Sequence, residues 1–339
     1  MVELALYHPS AGFYETGGGA GRGGADFITS PEVGPLFGAV LAGALASWWD
    51  ELGRPDPFTV VEAGAGAGAL AGAILRAGLP RAARYVAVER SGRLRAVAAD
   101  RLGEGADVAA ELPAGPFDGV ILANELLDNL PFRLLVRTGD DSGGQGPGFR
   151  HQFGWGEVFV DENLAEVLRP VDAAVAVGLP RDTPVGARVP VQDQARDWVA
   201  TALGRLRRGR VVVVDYADTT SSMATRPWTE WVRTYRGHAR AGHPLQDLGT
   251  ADITCEVAVD QLPPRERDRS QADFLRAHGI DRLVAAARAE WQERAHIGDL
   301  RALTARSRVT EAAALTDPSG LGGFRVLEWE VPGRLGDHG

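Results

Sequence analysis

Three glycines at alternate positions, Gly64, Gly66 and Gly68, interrupt the run Thr59-Val60-Val61-Glu62-Ala63-Gly64-Ala65-Gly66-Ala67-Gly68-Ala69-Leu70. Glycine takes positive φ without steric cost and lets a ligand lie directly on the main chain, where a Cβ would block it. The β-branched residues before the glycines and the Ala/Leu-rich stretch 70–75 after them make the segment a strand, a tight turn and a helix start. Glu62 leaves a carboxylate beside that turn. Gly64, Gly66 and Ala69, followed about 20 residues later by Glu89 at the end of the strand-like run Tyr85–Val88, also fit the dinucleotide fingerprint. The chemistry is recognition of a nucleoside-containing cofactor; a plain strand-to-helix turn in an unliganded α/β domain uses the same residues.

Two further polar groups stand where strands end. The apolar run Phe117–Ala123 reads as a buried parallel strand and breaks into Asn124-Glu125-Leu126-Leu127-Asp128-Asn129-Leu130-Pro131. The run Val211–Val214 ends in Asp215-Tyr216. Ligands of open α/β sheets sit beyond the carboxyl ends of the strands, so Glu62, Glu89, Asn124 and Glu125 are expected to converge on one crevice. Upstream, Thr29-Ser30-Pro31-Glu32 precedes a periodic helix, Leu36–Leu52. Ser30 is placed there to cap and Pro31 suits the first turn, so helix capping accounts for the block on its own.

The elements that position these groups follow from periodicity. At 339 residues and 36.0 kDa the chain is expected to form one α/β domain carrying an inserted lobe. Residues 1–58 make an N-terminal segment and helix, 59–131 the Rossmann-like cofactor core, 132–192 the insertion, and 193–339 the rest of the core. The insertion reads as β-rich, with strands at Phe132–Thr138, Phe149–Phe153, Glu157–Val160 and Ala173–Val177 around a polar loop, 139–148. A helix is expected over Asp193–Arg207, a strand over Ala251–Val259 and a charged loop over Pro263–Arg269. Two helices, Gln271–His278 and Arg282–His296, and a closing strand, Phe324–Val331, complete the chain.

Composition narrows the function classes. A net charge of -9 leaves no electrostatic footprint for nucleic acid or an anionic membrane, and favours cationic partners. The single cysteine, Cys255, excludes an internal disulfide or a cysteine-rich metal site, and the seven scattered histidines offer no metal-binding pair. Neither a leader peptide nor an apolar run of membrane-crossing length is present in this sequence, which reads as cytoplasmic, monomeric or homodimeric.

Several blocks together resemble the MidA/NDUFAF7 family of S-adenosylmethionine-dependent methyltransferases. They are Ala-Asp-Phe-Ile-Thr-Ser-Pro-Glu (25–32), Glu-x-Gly-x-Gly-x-Gly (62–68), Asn-Glu-x-x-Asp-x-Leu-Pro (124–131) and Gly-Trp-x-Glu-Val-Phe-Val-Asp (154–161). Asp-Tyr (215–216), Tyr-Arg-x-His (235–238) and Gly-Thr-Ala-Asp-Ile-Thr (249–254) continue the series. The resemblance implies a seven-stranded class I methyltransferase sheet, an inserted substrate lobe, and S-adenosylmethionine as cofactor with S-adenosylhomocysteine as product; the scattered histidines and single cysteine give no metal site. It places Gly64, Gly66 and Gly68 at the methionine part, Glu89 at the ribose hydroxyls, and Asn124 and Glu125 at the sulfonium side. Glu62 stands beside the glycine turn, and Thr29, Ser30, Pro31 and Glu32 would close the site. The family's Gly-His after Asp-Tyr is Ala217-Asp218 here.

Methyl transfer is an in-line displacement, so the protein aligns a nucleophile and receives its proton. For a guanidinium acceptor the work falls to carboxylates. Glu125, Asp128 and Glu32 come first, with Asp215 and Tyr216 next; Asp128 fits a cap equally well. Asp26, Tyr235, Arg236 and His238 are placed at substrate entry. The expected activity is N-methylation of a protein, peptide or small-molecule acceptor, with an arginine-type guanidine as one candidate. A cofactor-binding assembly factor with little turnover is the second reading, and a nicotinamide-dependent oxidoreductase the third.

Overall fold

The computed structural model describes residues 1–18, 29–139, 154–171, 175, 178–180, 182–237 and 239–333. Asp26, His238, the expected strand Phe149–Phe153, residues 140–148 and most of 173–177 lie outside the described residues. The chain divides into two compact units.

The larger unit comprises residues 17–126, 200–215 and 264–339. Its seven-stranded sheet contains β1 (Phe58–Ala63), β2 (Ala83–Val88), β3 (Asp107–Ala109), β4 (Phe117–Asn124), β5 (Leu206–Asp215), β6 (Arg267–Ser270) and β7 (Arg325–Val331). The order across the sheet is β6-β7-β5-β4-β1-β2-β3. All contacts are parallel except those of β7, which runs antiparallel to both neighbours. Every residue of β1 is buried, as the apolar runs of β1, β4 and β5 require for strands covered on both faces. The helices of this unit are Ser30–Val33, Pro35–Glu51, Ala69–Ala77, Gly92–Leu102, Gln271–Ala277, Ile280–Arg294 and Leu300–Thr316.

Register sets the crevice. Ala63 pairs with Val88 on one side and Ala123 on the other, and Asn124 pairs with Val214. Gly64, Glu89, Asn124 and Asp215 therefore all fall at the same carboxyl margin of the sheet.

Three expectations change. Residues 267–270, read as a charged loop, form β6, because their charges are matched by its neighbour: Arg269 meets the fully buried Glu328 at 2.7 Å, and Arg325 meets Asp268 at 2.5 Å. The helix begun at Asp193 stops at Gly204, and Arg207 already belongs to β5, where it and Arg208 hold the buried Asp118. A third C-terminal helix, Leu300–Thr316, is capped by Asp299, whose side chain accepts from the N–H of Ala302.

The smaller unit comprises residues 1–16, 127–199 and 216–263. It holds a four-stranded antiparallel sheet, in the order 166–170, 155–160, 133–137, 188–191, and a three-stranded antiparallel sheet, in the order 239–240, 232–236, 252–255. Its core gathers Leu135, Trp155, Val171, Leu179, Val189, Val191 and Ala224. This unit is larger than the expected insertion, 132–192: the N-terminal residues and the stretch after β5 join it, because their hydrogen-bond partners lie there.

Candidate active site

The glycine turn adopts the backbone that its sequence requires. Gly64, Gly66 and Gly68 have φ of 72°, 53° and 76°, the left-handed region that L side chains rarely occupy. A Cβ at Gly66 would meet no described atom within 4 Å, whereas one at Gly64 would come within 3.0 Å of Leu126 Cδ1. Gly68 also starts the helix Ala69–Ala77.

Glu89 is tied to this turn by both oxygens. Oε2 accepts from the Gly66 N–H at 2.8 Å and Oε1 from the Ser91 N–H at 2.7 Å. Ser91 caps the helix Gly92–Leu102 by accepting from the Leu94 N–H.

Across β1, Asn124 ends β4. Its Nδ2 donates to Glu125 Oε1 at 3.2 Å, while its buried Oδ1 has no hydrogen-bond partner among the described residues. An acceptor so placed calls for a donor, because an unsatisfied buried polar atom costs about 1–3 kcal/mol. Glu125 sits at φ 50°, unusual for a side-chain-bearing residue, and its N–H donates to Val214 O at 2.8 Å. The backbone at this residue is thus locked onto β5.

The remaining expected residues divide as follows. Glu62 is 3% exposed and accepts from the Tyr85 hydroxyl at 2.6 Å and from the Ala71 N–H, so it braces the strand and the helix on either side of the turn. Thr29 occupies the cap position without a side-chain cap bond; Ser30, expected to cap, is the first helical residue and donates to Gln271 Oε1 at 2.9 Å. Pro31 and Glu32 line a cleft of about 350 Å³ together with Ala69, Ala73, Arg76 and Arg101. Asp215 is fully buried at the end of β5.

Asp128, Tyr216, Tyr235 and Arg236 belong to the smaller unit. Asp128 is 3% exposed in the 3-10 turn Leu127–Asn129. The Arg233 guanidinium lies 5.8 Å from the Tyr216 ring centre, Tyr235 pairs in register with Asp252, and the exposed Arg236 reaches Thr250 Oγ1 at 3.1 Å. Asp218, at the site of the family's histidine, pairs with Arg226 at 2.8 Å, and Arg226 in turn with Glu256. Tyr14 and Asp252, given no role by the sequence reading, form a network with Asn129; Asp252 falls within the block 249–254, whereas no sequence block marked Tyr14.

Burial pushes the Glu62 carboxyl from 4.5 up to about 7, against the opposing pull of Tyr85 and Ala71. In the same unit, burial holds the His278 imidazole down from 6.5 to about 4, with Arg269 acting the same way. Folding takes up a proton at Glu62, so that contribution is full below pH 4.5 and is lost as pH rises through 7. His278 must stay neutral, so its contribution is full above 6.5 and is lost as pH falls through 4. Between pH 4.5 and 6.5 the two slopes oppose, each at most about 1.4 kcal/mol per pH unit. Urea unfolding of Glu62→Gln is therefore expected to become more stable, relative to the parent, as pH rises through this window. Parallel profiles would show that Glu62 is not protonated on folding.

The cradle suits a nucleoside cofactor that brings donors: a turn of left-handed glycines with no described atom near a Cβ at Gly66, the carboxylate of Glu89, and an Asn124 Oδ1 without a hydrogen-bond partner among the described residues. The strand order from β3 is 3-2-1-4-5-7-6 with an antiparallel β7, unlike the 3-2-1-4-5-6 order of dinucleotide-binding sheets, and this sets the nicotinamide reading aside. Sheet and site together define a class I S-adenosylmethionine-dependent methyltransferase. The chain belongs to the family described as "Putative S-adenosyl-L-methionine-dependent methyltransferase", which matches residues 40–278. It is similar to a structure from Burkholderia thailandensis solved with S-adenosyl-homocysteine bound, with 29% identity and a TM-score of 0.75 over 97% of this chain and 86% of that one. The human protein arginine methyltransferase NDUFAF7, mitochondrial, is 28% identical over 326 residues, covering 83% of this chain and 69% of that protein. A Drosophila melanogaster homologue of the same name is 45% identical over 71 residues, and that match spans 16% of its length. The cofactor of this chain is S-adenosylmethionine.

Proposed function

We propose that the chain methylates a nitrogen, of the arginine guanidine type, on a protein or peptide acceptor. The observation that carries this reading is Glu125: a carboxylate beyond the end of β4, on a backbone in the left-handed region, one residue before Leu126, whose side chain a Cβ at Gly64 would meet. A cationic acceptor is drawn to such a group, which orients the planar guanidinium by paired hydrogen bonds and biases charge away from the attacking nitrogen. The naming of relatives as protein arginine methyltransferases supports the same acceptor class.

When bound, S-adenosylmethionine supplies a methyl group on a sulfonium, open to in-line attack. The chain's own part is to hold and to accept. Gly64, Gly66 and Gly68 admit the cofactor to the main chain, Glu89 accepts its hydroxyls, and Asn124 Oδ1 accepts a donor while its amide steadies Glu125. Glu125 then aligns the acceptor nitrogen and takes its proton, with Asp215 and Glu32 as further acids of this unit.

Incubation with S-adenosylmethionine carrying a labelled methyl and a protein lysate, followed by acid hydrolysis, should yield labelled methylarginine. Label confined to another amino acid would replace the guanidine reading. Cofactor binding with no transfer to any acceptor would favour the assembly-factor reading.

A further inference from the structure

The four-stranded sheet of the smaller unit has one open edge. At the strand 188–191 the edge groups are taken up: Gln261 Nε2 donates to Pro190 O at 2.8 Å, and Gln261 Oε1 accepts from the Gln192 N–H at 2.9 Å. The strand Glu166–Pro170 forms the other edge, and every residue from 161 to 170 is exposed. Antiparallel pairs alternate between bonded and unbonded. The Asp161 N–H donates to Ala165 O at 3.0 Å, and the register continues through Phe159 with Val167 and Glu157 with Arg169, so Val167 and Arg169 turn their backbone groups inward. The N–H groups of Glu166 and Leu168 therefore point away from the sheet, with the carbonyls of Glu166, Leu168 and Pro170.

Sheet edges are commonly guarded by charges, prolines or bulges. Here the two charged side chains of the strand are engaged on its faces: Glu166 pairs with Arg188 at 2.5 Å, and the Arg169 guanidinium lies 4.4 Å from the Phe159 ring centre. Val167 and Leu168 point to opposite faces and are 42% and 41% exposed, so an added strand would find apolar surface on either side. Charge selects what is added. The residues of the smaller unit include 19 Asp and Glu against 11 Arg, a net of -8 out of the chain's -9. At the turn leading into the strand, Asp161 and Glu162 are exposed and have no ion pair among the described residues. A second copy of this chain would set like charge against like; an arginine-bearing segment brings the opposite sign.

We propose that the edge Glu166–Pro170 docks the methyl acceptor, taking an extended, arginine-bearing segment of it as a fifth strand of the sheet. Main-chain bonds to Glu166 and Leu168 supply affinity, Val167 and Leu168 contact alternate side chains of the segment, and Asp161 and Glu162 favour its positive charge. Such docking rests on the reading of the acceptor as an arginine-bearing protein, and it involves the smaller unit alone.

The test uses the full chain, Leu168→Pro and Glu162→Arg, with circular dichroism to confirm folding. Leu168→Pro removes one outward N–H at a position of the same orientation as Pro170, which the strand already accommodates. The probes are fluorescent heptapeptides of alternating arginine and valine, alternating arginine and proline, and alternating glutamate and valine. The parent should bind the arginine–valine peptide at least about tenfold more tightly than the other two, with amide exchange slowed at Glu166 and Leu168. Leu168→Pro should weaken that binding about tenfold and Glu162→Arg about threefold, each leaving S-adenosylmethionine affinity within about twofold of the parent. In transfer of labelled methyl to a protein lysate, Leu168→Pro should raise the half-saturating lysate concentration about tenfold at unchanged kcat. Equal binding of the arginine–proline peptide, unprotected amides at 166 and 168, or peptide binding or transfer unaltered by Leu168→Pro overturns the proposal. Binding unaltered by Glu162→Arg overturns the selection by charge, and a parent dimer split by Leu168→Pro would give the edge to a second copy instead. Label on another amino acid, or no transfer by the parent, would fail the acceptor reading; peptide binding and amide exchange would still decide whether the edge takes a cationic strand.

Discussion

Gly66→Val is expected to weaken S-adenosylmethionine binding by about 100-fold or more, equivalent to about 3 kcal/mol. Two effects add. At φ 53° a β-branched residue is strained by about 1–2 kcal/mol, and relaxing that strain pulls the Gly66 N–H away from Glu89 Oε2, now 2.8 Å distant. The new side chain also stands where no described atom comes within 4 Å of a Cβ, on the side from which the cofactor must approach the backbone. Calorimetric titration with S-adenosylmethionine and S-adenosylhomocysteine measures the loss, and circular dichroism confirms folding. Affinity within about threefold of the parent would remove the glycine turn from the binding site.

Glu125→Gln is expected to act on the rate instead. The amide keeps the shape of the side chain, and the backbone bond from residue 125 to Val214 O is untouched. The charge that orients a guanidinium is gone. Loss of one preorganised electrostatic partner typically costs about 100- to 1000-fold in turnover, or roughly 3–4 kcal/mol. Transfer should fall by that factor while the cofactor dissociation constant stays within about threefold. Retention of more than a third of the parental rate would pass the acid role to Asp215 or Glu32.

The parts of the molecule legible in the sequence are those whose partners are local. Alternating glycines after a β-branched run specify their own turn, and the apolar runs of β1, β4 and β5 could be buried only as inner strands. The rest depends on partners far along the chain. The β6 strand looks like a charged loop because its matching residues, Arg325 and Glu328, lie on β7, beyond three helices. The helix Leu300–Thr316 escapes notice because it buries Ala302, Ala305, Ala312, Leu315 and a single acid, Glu311, with no broad apolar stripe. Ser30 reads as a cap, yet its hydroxyl reaches Gln271, 241 positions away. The smaller unit is least legible of all, since Tyr14 meets its partners across 115 and 238 positions.

The charge-matched strand that escaped detection has a further effect. A twisted parallel sheet is open at its two flanks, and an open flank invites a neighbouring molecule to add its own backbone. Here one flank is β3, only three residues long, and the other is the Arg267–Ser270 strand, whose guanidinium and carboxylate groups are already committed to β7. A short strand on one flank and a charge-bearing strand on the other are both features that blunt edge-to-edge pairing.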